Sequence, residues 1–195
     1  MRLRYNAPIT LTFSLFAAAV FLSDAYLSPG LINNLFILEG RGLFNFSYLP
    51  GYVRLFSYIF GHESLPHLIS NLTYILLLGP LIEERYGSSS LALMIFVTAI
   101  ANGLINVLFF PSGLMGASGI VFMMIVLSSF ANVRRGDFPL TFLFIAAIFL
   151  WQEIATLFTT NNISQISHLM GGICGAIFGF AEPAFKGRDG NQNQP

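Results

Sequence analysis

The sequence predicts an all-α polytopic membrane protein: a bundle of six transmembrane helices with a first loop lying in the membrane interface. Of its 195 residues, 55% are hydrophobic and only 9% are charged, and the mean hydropathy is +0.72. Because soluble domains carry about 25% charged residues, most of this chain must face lipid or other helices. The net charge is zero, so nothing in the composition indicates nucleic acid as a partner.

Six apolar stretches approach the length of about 20 residues that a spanning helix needs. They lie at about 9–27, 67–82, 91–110, 118–133, 138–158 and 167–180. The fourth and sixth are short, so we expect their outer ends to begin inside the bundle, where irregular backbone must line protein or a water-filled cavity. Residues 1–186 are expected to form a single membrane domain, followed by a disordered cytoplasmic tail at 187–195.

Residues 28–66 make the one long connection between predicted spans, and they are rich in glycine, proline and aromatic residues. Aromatic rings are favoured at membrane–water interfaces. We therefore expect this first loop to be ordered and to lie in the interface.

The basic residues orient the predicted bundle. Seven of the nine adjoin one set of span ends: Arg2, Arg4, Arg85, Arg134, Arg135, Lys186 and Arg188. Only Arg41 and Arg54 lie on the other side. By the positive-inside rule both termini are then cytoplasmic, and in a bacterium the protein would lie in the inner (plasma) membrane. A cleaved N-terminal signal peptide is the alternative, but its removal would upset the agreement of the later loops with the charge rule.

Three polar residues share one depth in the predicted bundle. A helix rises 1.5 Å per residue, so Ser118, His67 and His168 lie roughly 21 to 24 Å from the charged cytoplasmic ends of their spans. Since the hydrocarbon core is about 30 Å thick, all three lie below the outer surface. Asn71 is one turn deeper than His67 on the same helix face. The sequence therefore predicts a submerged polar pocket that opens to the extracytoplasmic side.

A serine and a histidine at one depth indicate nucleophilic catalysis. The hydroxyl of Ser118 needs a base to remove its proton, and His168 is the candidate base. The amide of Ser118, at the predicted start of its helix, is a free donor for an oxyanion, and His67 and Asn71 can donate further hydrogen bonds. No carboxylate is placed to orient His168, so the pattern predicts a dyad.

Glycines support this arrangement in two places. Gly116 and Gly119 flank Ser118 and let backbone and substrate approach closely. Gly171, Gly175 and Gly179 repeat every four residues, a spacing that lets two helix backbones pack tightly and would hold His168 against the fourth span. Taken singly, each of these motifs is more typical of helix packing than of catalysis.

Together, the motifs resemble those of the rhomboid family of intramembrane serine proteases. The matching residues are Gly116-Ala117-Ser118-Gly119 for G-x-S-G, His67 and Asn71 for H-x-x-x-N, and His168 with Gly171 and Gly175 for the last-span histidine motif. Glu83 and Arg85 match the E-x-R-x-G that follows the second span, Arg54 matches a position in the first loop, and His62 matches a position just before the second span. The resemblance covers about residues 50–180.

The resemblance implies a role for each residue. Ser118 would be the nucleophile and His168 the general base, with His67, Asn71 and the Ser118 amide as the oxyanion hole. Substrates would be single-span membrane proteins, cut within or near the spanning segment, and no cofactor is implied. Glu83, Arg85 and Arg54 would be structural. Two positions depart from the family: Val53 stands where tryptophan is frequent, and Phe122 where tyrosine commonly stacks beneath the histidine.

Other interpretations remain open at this point. A catalytically inactive relative would bind or escort membrane proteins, although such relatives typically lose the serine or the histidine, and this chain keeps both. A small-solute transporter is less favoured, because the chain lacks the signs of an inverted repeat. His62 and His67 are five residues apart with Pro66 between them, which does not fit the zinc-protease helix motif, so no metal is predicted. The natural substrate and the oligomeric state are not indicated by the sequence.

Overall fold

The computed structural model describes residues 5–130, 140–156 and 162–181. Eight α-helices lie in these ranges: α1 Pro8–Tyr26, α2 Leu31–Leu35, α3 Leu49–Ser57, α4 Leu65–Tyr86, α5 Ser88–Phe109, α6 Ser118–Ser128, α7 Leu140–Thr156 and α8 Asn162–Phe180. A single 3-10 turn, Tyr58–Phe60, leads from α3 towards α4. Six of these helices, α1 and α4 to α8, overlap the six predicted spans, so the predicted all-α membrane bundle is confirmed. The prediction that the fourth span ends near 133 is wrong, because α6 ends at Ser128.

Three of the helices, α1, α4 and α5, are long and apolar enough to cross a membrane by themselves. Helix α6 has only 11 residues and rises about 16 Å, so it cannot cross a hydrocarbon core of about 30 Å. Helix α8 begins at Asn162, earlier than the predicted start at 167, because polar residues end the apolar run without interrupting the helical backbone. The tail at 187–195 and six of the seven basic residues used for orientation, all except Arg85, lie outside the described residues.

Helix α6 lies at the centre of the described bundle. Seven of its 11 residues are buried, and they lie on all sides of the helix: Gly119, Ile120, Val121, Met123, Met124, Val126 and Leu127. Helix α8 packs along it through glycines, since a side chain on Gly171 would collide with the backbone of Gly119. A Cβ on Gly175 would lie 2.5 Å from the Met123 carbonyl oxygen. The two backbones can therefore approach this closely only because α8 carries glycine at these positions.

Helix α1 is attached to the far end of α4 by one carboxylate. The oxygens of Glu83 accept from the amides of Ile9 and Thr10, at 2.9 and 3.0 Å, and from the hydroxyls of Thr10 and Ser88, both at 2.8 Å. The first amides of a helix have no partner within it, so Glu83 serves as the N-terminal cap of α1. Arg85, two residues after Glu83, has its guanidinium carbon 5.4 Å from the centre of the Tyr86 ring.

The connection 28–66 is ordered and contains α2, α3 and the 3-10 turn. Arg54 holds it together, because its guanidinium donates to Glu39 Oε1 at 3.0 Å and to the Asn34 carbonyl oxygen at 2.5 Å. The ring of Phe44 makes edge contacts with those of Phe46 and Tyr52. Val53 projects outward with 66% of its surface exposed.

Candidate active site

A cavity of about 760 Å³ lies between α4, α6, α7 and α8. Ser118, His168, His67 and Asn71, which the sequence predicts to share one pocket, all line it. Its walls are otherwise largely apolar, and the side chains that line it include Glu63, Val121, Phe122, Ile125, Ile145, Ile148 and Ser167. Glu83, Arg85 and Arg54 are not among the described residues that line it.

Ser118 is the first residue of α6 and is half-buried. No side chain caps this end of the helix, so the leading amides, that of Ser118 among them, lack an acceptor within the helix. Gly116, two residues earlier, has φ +108°, a conformation that L side chains rarely adopt. A Cβ there would also lie 2.8 Å from Cε1 of His67. Gly116 is therefore required both by the turn that leads into α6 and by the ring of His67 packed against it.

His168 is held over the face of α6 that carries Ser118. Its ring stacks on that of Phe122, with the centroids 4.2 Å apart and the planes at 30°. Phe122 is one helical turn after Ser118, so the two residues lie on the same face of α6. The stack therefore brings the imidazole to the stretch of α6 that begins with the serine.

Ser167, the residue before His168, attaches α8 to α5. The hydroxyl of Ser167 donates to Oδ1 of Asn102 on α5 at 2.9 Å, and both residues are buried. The amide of Asn102 donates in turn to the Thr98 carbonyl oxygen at 3.0 Å. Ser167 is not among the site residues that the sequence predicts. The available signal was a polar residue adjoining the candidate base, matched by a buried asparagine in an otherwise apolar helix.

His67 and Asn71 line the cavity from the first turns of α4. This helix begins cleanly because Ser64 caps it, accepting from the His67 amide at 3.4 Å, and because Pro66 occupies its first turn. Asn71 is 5% exposed, and its amide nitrogen makes no hydrogen bond within the described residues. Buried polar groups are normally paired, so an unused donor on a cavity wall is available to a bound group.

His62 lies directly behind His67. Its ring is 1% exposed and meets the His67 ring edge to face, with the centroids 5.1 Å apart. Its Nδ1 lies 3.2 Å from the Phe60 carbonyl oxygen, and its Nε2 has no partner within the described ranges. Burial, and then the neighbouring His67, lowers the pKa of His62 from 6.5 to about 4, so the ring is neutral at pH 7. His62 thus supports the imidazole of His67 from behind rather than lining the cavity.

The described residues include no group of three or more His, Cys, Asp or Glu side chains that could hold a metal ion. His62 and His67, the pair that superficially resembles a zinc motif, face each other through their rings.

The chain matches the rhomboid domain family over residues 50–184. It is 36% identical to the rhomboid protease GlpG of Salmonella choleraesuis (strain SC-B67) over 69 residues, 35% of this chain and 25% of that protein. The GlpG proteins of Salmonella newport (strain SL254) and Salmonella heidelberg (strain SL476) are each 35% identical over the same share. The chain thus spans about a quarter of the length of these relatives, as their 25% coverage indicates.

Proposed function

This chain belongs to the rhomboid family, and we propose on that premise that it is an intramembrane serine endopeptidase. Its substrates are single-span membrane proteins, cut within or near the spanning segment. One observation carries the proposal: the candidate nucleophile begins α6, and the candidate base stacks on the ring one turn further along the same face. Both residues line a cavity large enough to take several residues of a substrate chain.

The reaction follows from the groups around the cavity. His168 removes the proton from the hydroxyl of Ser118, and the serine oxygen attacks the scissile carbonyl carbon. The resulting oxyanion accepts hydrogen bonds from the Ser118 amide, the Asn71 side chain and His67. His168 then gives its proton to the leaving amine, so the C–N bond breaks and an acyl-enzyme remains. Water, deprotonated by the same imidazole, releases the second product and restores the serine.

The test is cleavage of a recombinant single-span substrate by the purified protein in detergent. Ser118→Ala and His168→Ala should each abolish cleavage, because the dyad works as a unit. Ser128→Ala, at the other end of α6, is the matched control and should cleave normally. A fluorophosphonate should label Ser118 in the wild type and leave it unlabelled in His168→Ala. Cleavage that survives either dyad substitution would refute the assignment.

An inactive relative that binds or escorts membrane proteins is the competing proposal. It predicts that the wild type captures a single-span protein without cutting it, and that Ser118→Ala captures it equally well. The unused amide donor of Asn71 on the cavity wall favours the protease, because an escort has no developing oxyanion to bind.

The oxyanion role of Asn71 gives a separate prediction. Asn71→Ala should lower kcat by roughly 10²- to 10³-fold, the usual cost of removing one oxyanion donor. Its melting temperature should stay near that of the wild type, because the donor makes no hydrogen bond in the described structure. Asn102→Ala is the contrasting variant: its amide is bonded to Ser167 and Thr98, so it should lose stability as well. An unchanged rate in Asn71→Ala would remove this residue from the site.

A further inference from the structure

We infer that Glu63 selects substrates carrying a lysine or arginine within a few residues of the cleaved bond, a specificity that rests on the proposed protease function. Among the described residues that line the cavity, Glu63 is the only acidic one, and no lysine or arginine accompanies it. Its side chain is exposed, and it forms no ion pair within the described part of the chain. The carboxylate acts electrostatically on His67, four residues further along, but no lysine or arginine of the described residues neutralises it, so it is open to a charge carried in by a substrate.

The position of Glu63 sets which substrate residues it can reach. It lies two residues before Leu65, where α4 begins, and four before His67, so its Cα is at most about 10 Å outward from His67: two residues of helix at about 1.5 Å and two of non-helical chain at up to about 3.6 Å. An extended substrate advances about 3.3 Å per residue, so this distance corresponds to at most about three residues from the carbonyl at the oxyanion site. The long stems of lysine and arginine widen the range, and positions within about four residues of the bond are accessible.

The cavity walls on α6 and α7 offer no partner to a charged substrate side chain, so Glu63, at the exposed rim of the cavity, is the group that can recognise one. Deeper lining residues on α6 and α7 are apolar, namely Val121, Ile125, Ile145 and Ile148. A charged substrate side chain would lose its hydration among them without gaining a partner. At Glu63 the same side chain keeps contact with water and gains an opposite charge. A basic residue is thus directed to the rim, while an acidic one there is repelled.

A structural role offers a simpler account of Glu63. An acidic residue beside a helix N-terminus is favourable because of the helix dipole. That account predicts a change in stability when Glu63 is neutralised, and no dependence of cleavage on substrate charge. The two accounts therefore differ in a measurable quantity.

The experiment compares substrates that differ by one charge. A recombinant single-span substrate without charges near its cleavage site receives Lys, Gln or Glu singly at each position within about four residues on either side. Cleavage efficiency kcat/KM is measured for the full-length wild type, Glu63→Gln and Glu63→Lys. Each variant is judged by its Lys-to-Gln and Glu-to-Gln ratios, so loss of folded protein cancels out.

We expect the wild type to prefer Lys over Gln by about two- to fivefold at one or two positions, the range of a solvent-exposed ion pair. The ratio should fall to about one in Glu63→Gln, and Glu63→Lys should prefer the Glu substrate. Higher salt should shrink the preference. Glu84→Gln, an exposed glutamate at the other end of α4, is the control and should keep the wild-type ratios.

Two failures are distinguishable. If the wild type cuts all three substrates equally well, the inference about Glu63 is wrong and the protease proposal stands. The same holds if Glu63→Lys keeps the wild-type ratios. If the wild type cuts no substrate at all, the protease proposal fails and the specificity fails with it.

Discussion

The stacked rings of Phe122 and His168 give the most direct prediction about a single side chain. Phe122→Ala removes a ring whose centroid is 4.2 Å from that of the imidazole, so the proposed base loses the surface that orients it. Aromatic stacks contribute about 0.5–1.5 kcal/mol, so kcat/KM should fall by about two- to tenfold. Phe122→Tyr keeps the ring and should retain activity. Phe109→Ala, an exposed phenylalanine on α5, is the control, and an equal loss there would contradict the orienting role.

The buried ring of His62 predicts how stability depends on pH. Its pKa in the folded protein is about 4, below the ordinary value of 6.5, so the folded state resists protonation where the unfolded chain accepts it. The stabilising contribution is complete above about pH 6.5 and is lost as the pH falls towards 4. The groups that face the ring are His67 and the Phe60 carbonyl.

The measurement is the melting temperature in detergent between pH 7.5 and 4. The wild type should lose stability more steeply than His62→Gln, whose side chain does not titrate. Identical slopes for the two proteins would mean that His62 titrates normally in the folded state.

The sequence predicts which polar residues share the cavity better than it predicts the contacts that support them. Ser118, His67, Asn71 and His168 stand in motifs with fixed local spacing, so counting along helices is enough to find them. The hydrogen-bond partners that hold these helices in place cannot be found by counting along a helix. The bonds from Ser167 to Asn102 and from Glu83 to the start of α1 join segments 65 and 73 or more residues apart. Nothing in local spacing specifies such pairs, because they depend on how the helices dock.

The contact between α6 and α8 is the feature of the helices on which the site depends most. Gly171→Ala would drive a methyl group into the backbone of Gly119, the residue after Ser118. The helices must then separate, at a cost of about 1–3 kcal/mol for an overpacked core. His168, three residues before Gly171, moves away from α6 with the helix. We therefore expect lower thermal stability and lower kcat together.

A substitution elsewhere on α8 tests whether these losses are specific to the contact between α6 and α8. Ile177→Ala removes an exposed side chain of α8 and should change neither property beyond a small amount. Wild-type activity and melting temperature in Gly171→Ala would show that the two helices do not need this close approach.

The existence of the helices was predictable from apolar length, whereas the start of α8 and the local structure within the first loop were not. The six spans follow from runs of apolar residues, because each must satisfy its own backbone in lipid. Helix α8 begins earlier than its apolar run, since Gln165 is compatible with a helix although it ends the run. Within 28–66, α2 and α3 are short, and the pairing of Arg54 with Glu39 that fixes them joins residues outside any repeating pattern.

The orientation of the whole protein is a prediction from charge, and the chain offers a clean way to test it. Cys174 is the only cysteine and is 6% exposed, so the wild type should not react with a membrane-impermeant maleimide. Ser47→Cys and Ser89→Cys introduce matched exposed thiols, one in the first loop and one beside Arg85 at the other end of α4. The positive-inside rule makes the Arg85 end cytoplasmic.

Labelling of intact cells and of permeabilised cells then separates the two orientations. The thiol at position 47 should react in intact cells, and the thiol at position 89 only after permeabilisation. This orientation would turn the end of α4 that carries Glu63, His67 and Asn71 away from the cytoplasm, so the proposed cleavage would take place near the outer surface of the membrane. The reverse labelling pattern would contradict the charge rule for this chain and place the cavity on the cytoplasmic side. Its lining would be unchanged, so only the side on which substrates are cut would need to be reassigned.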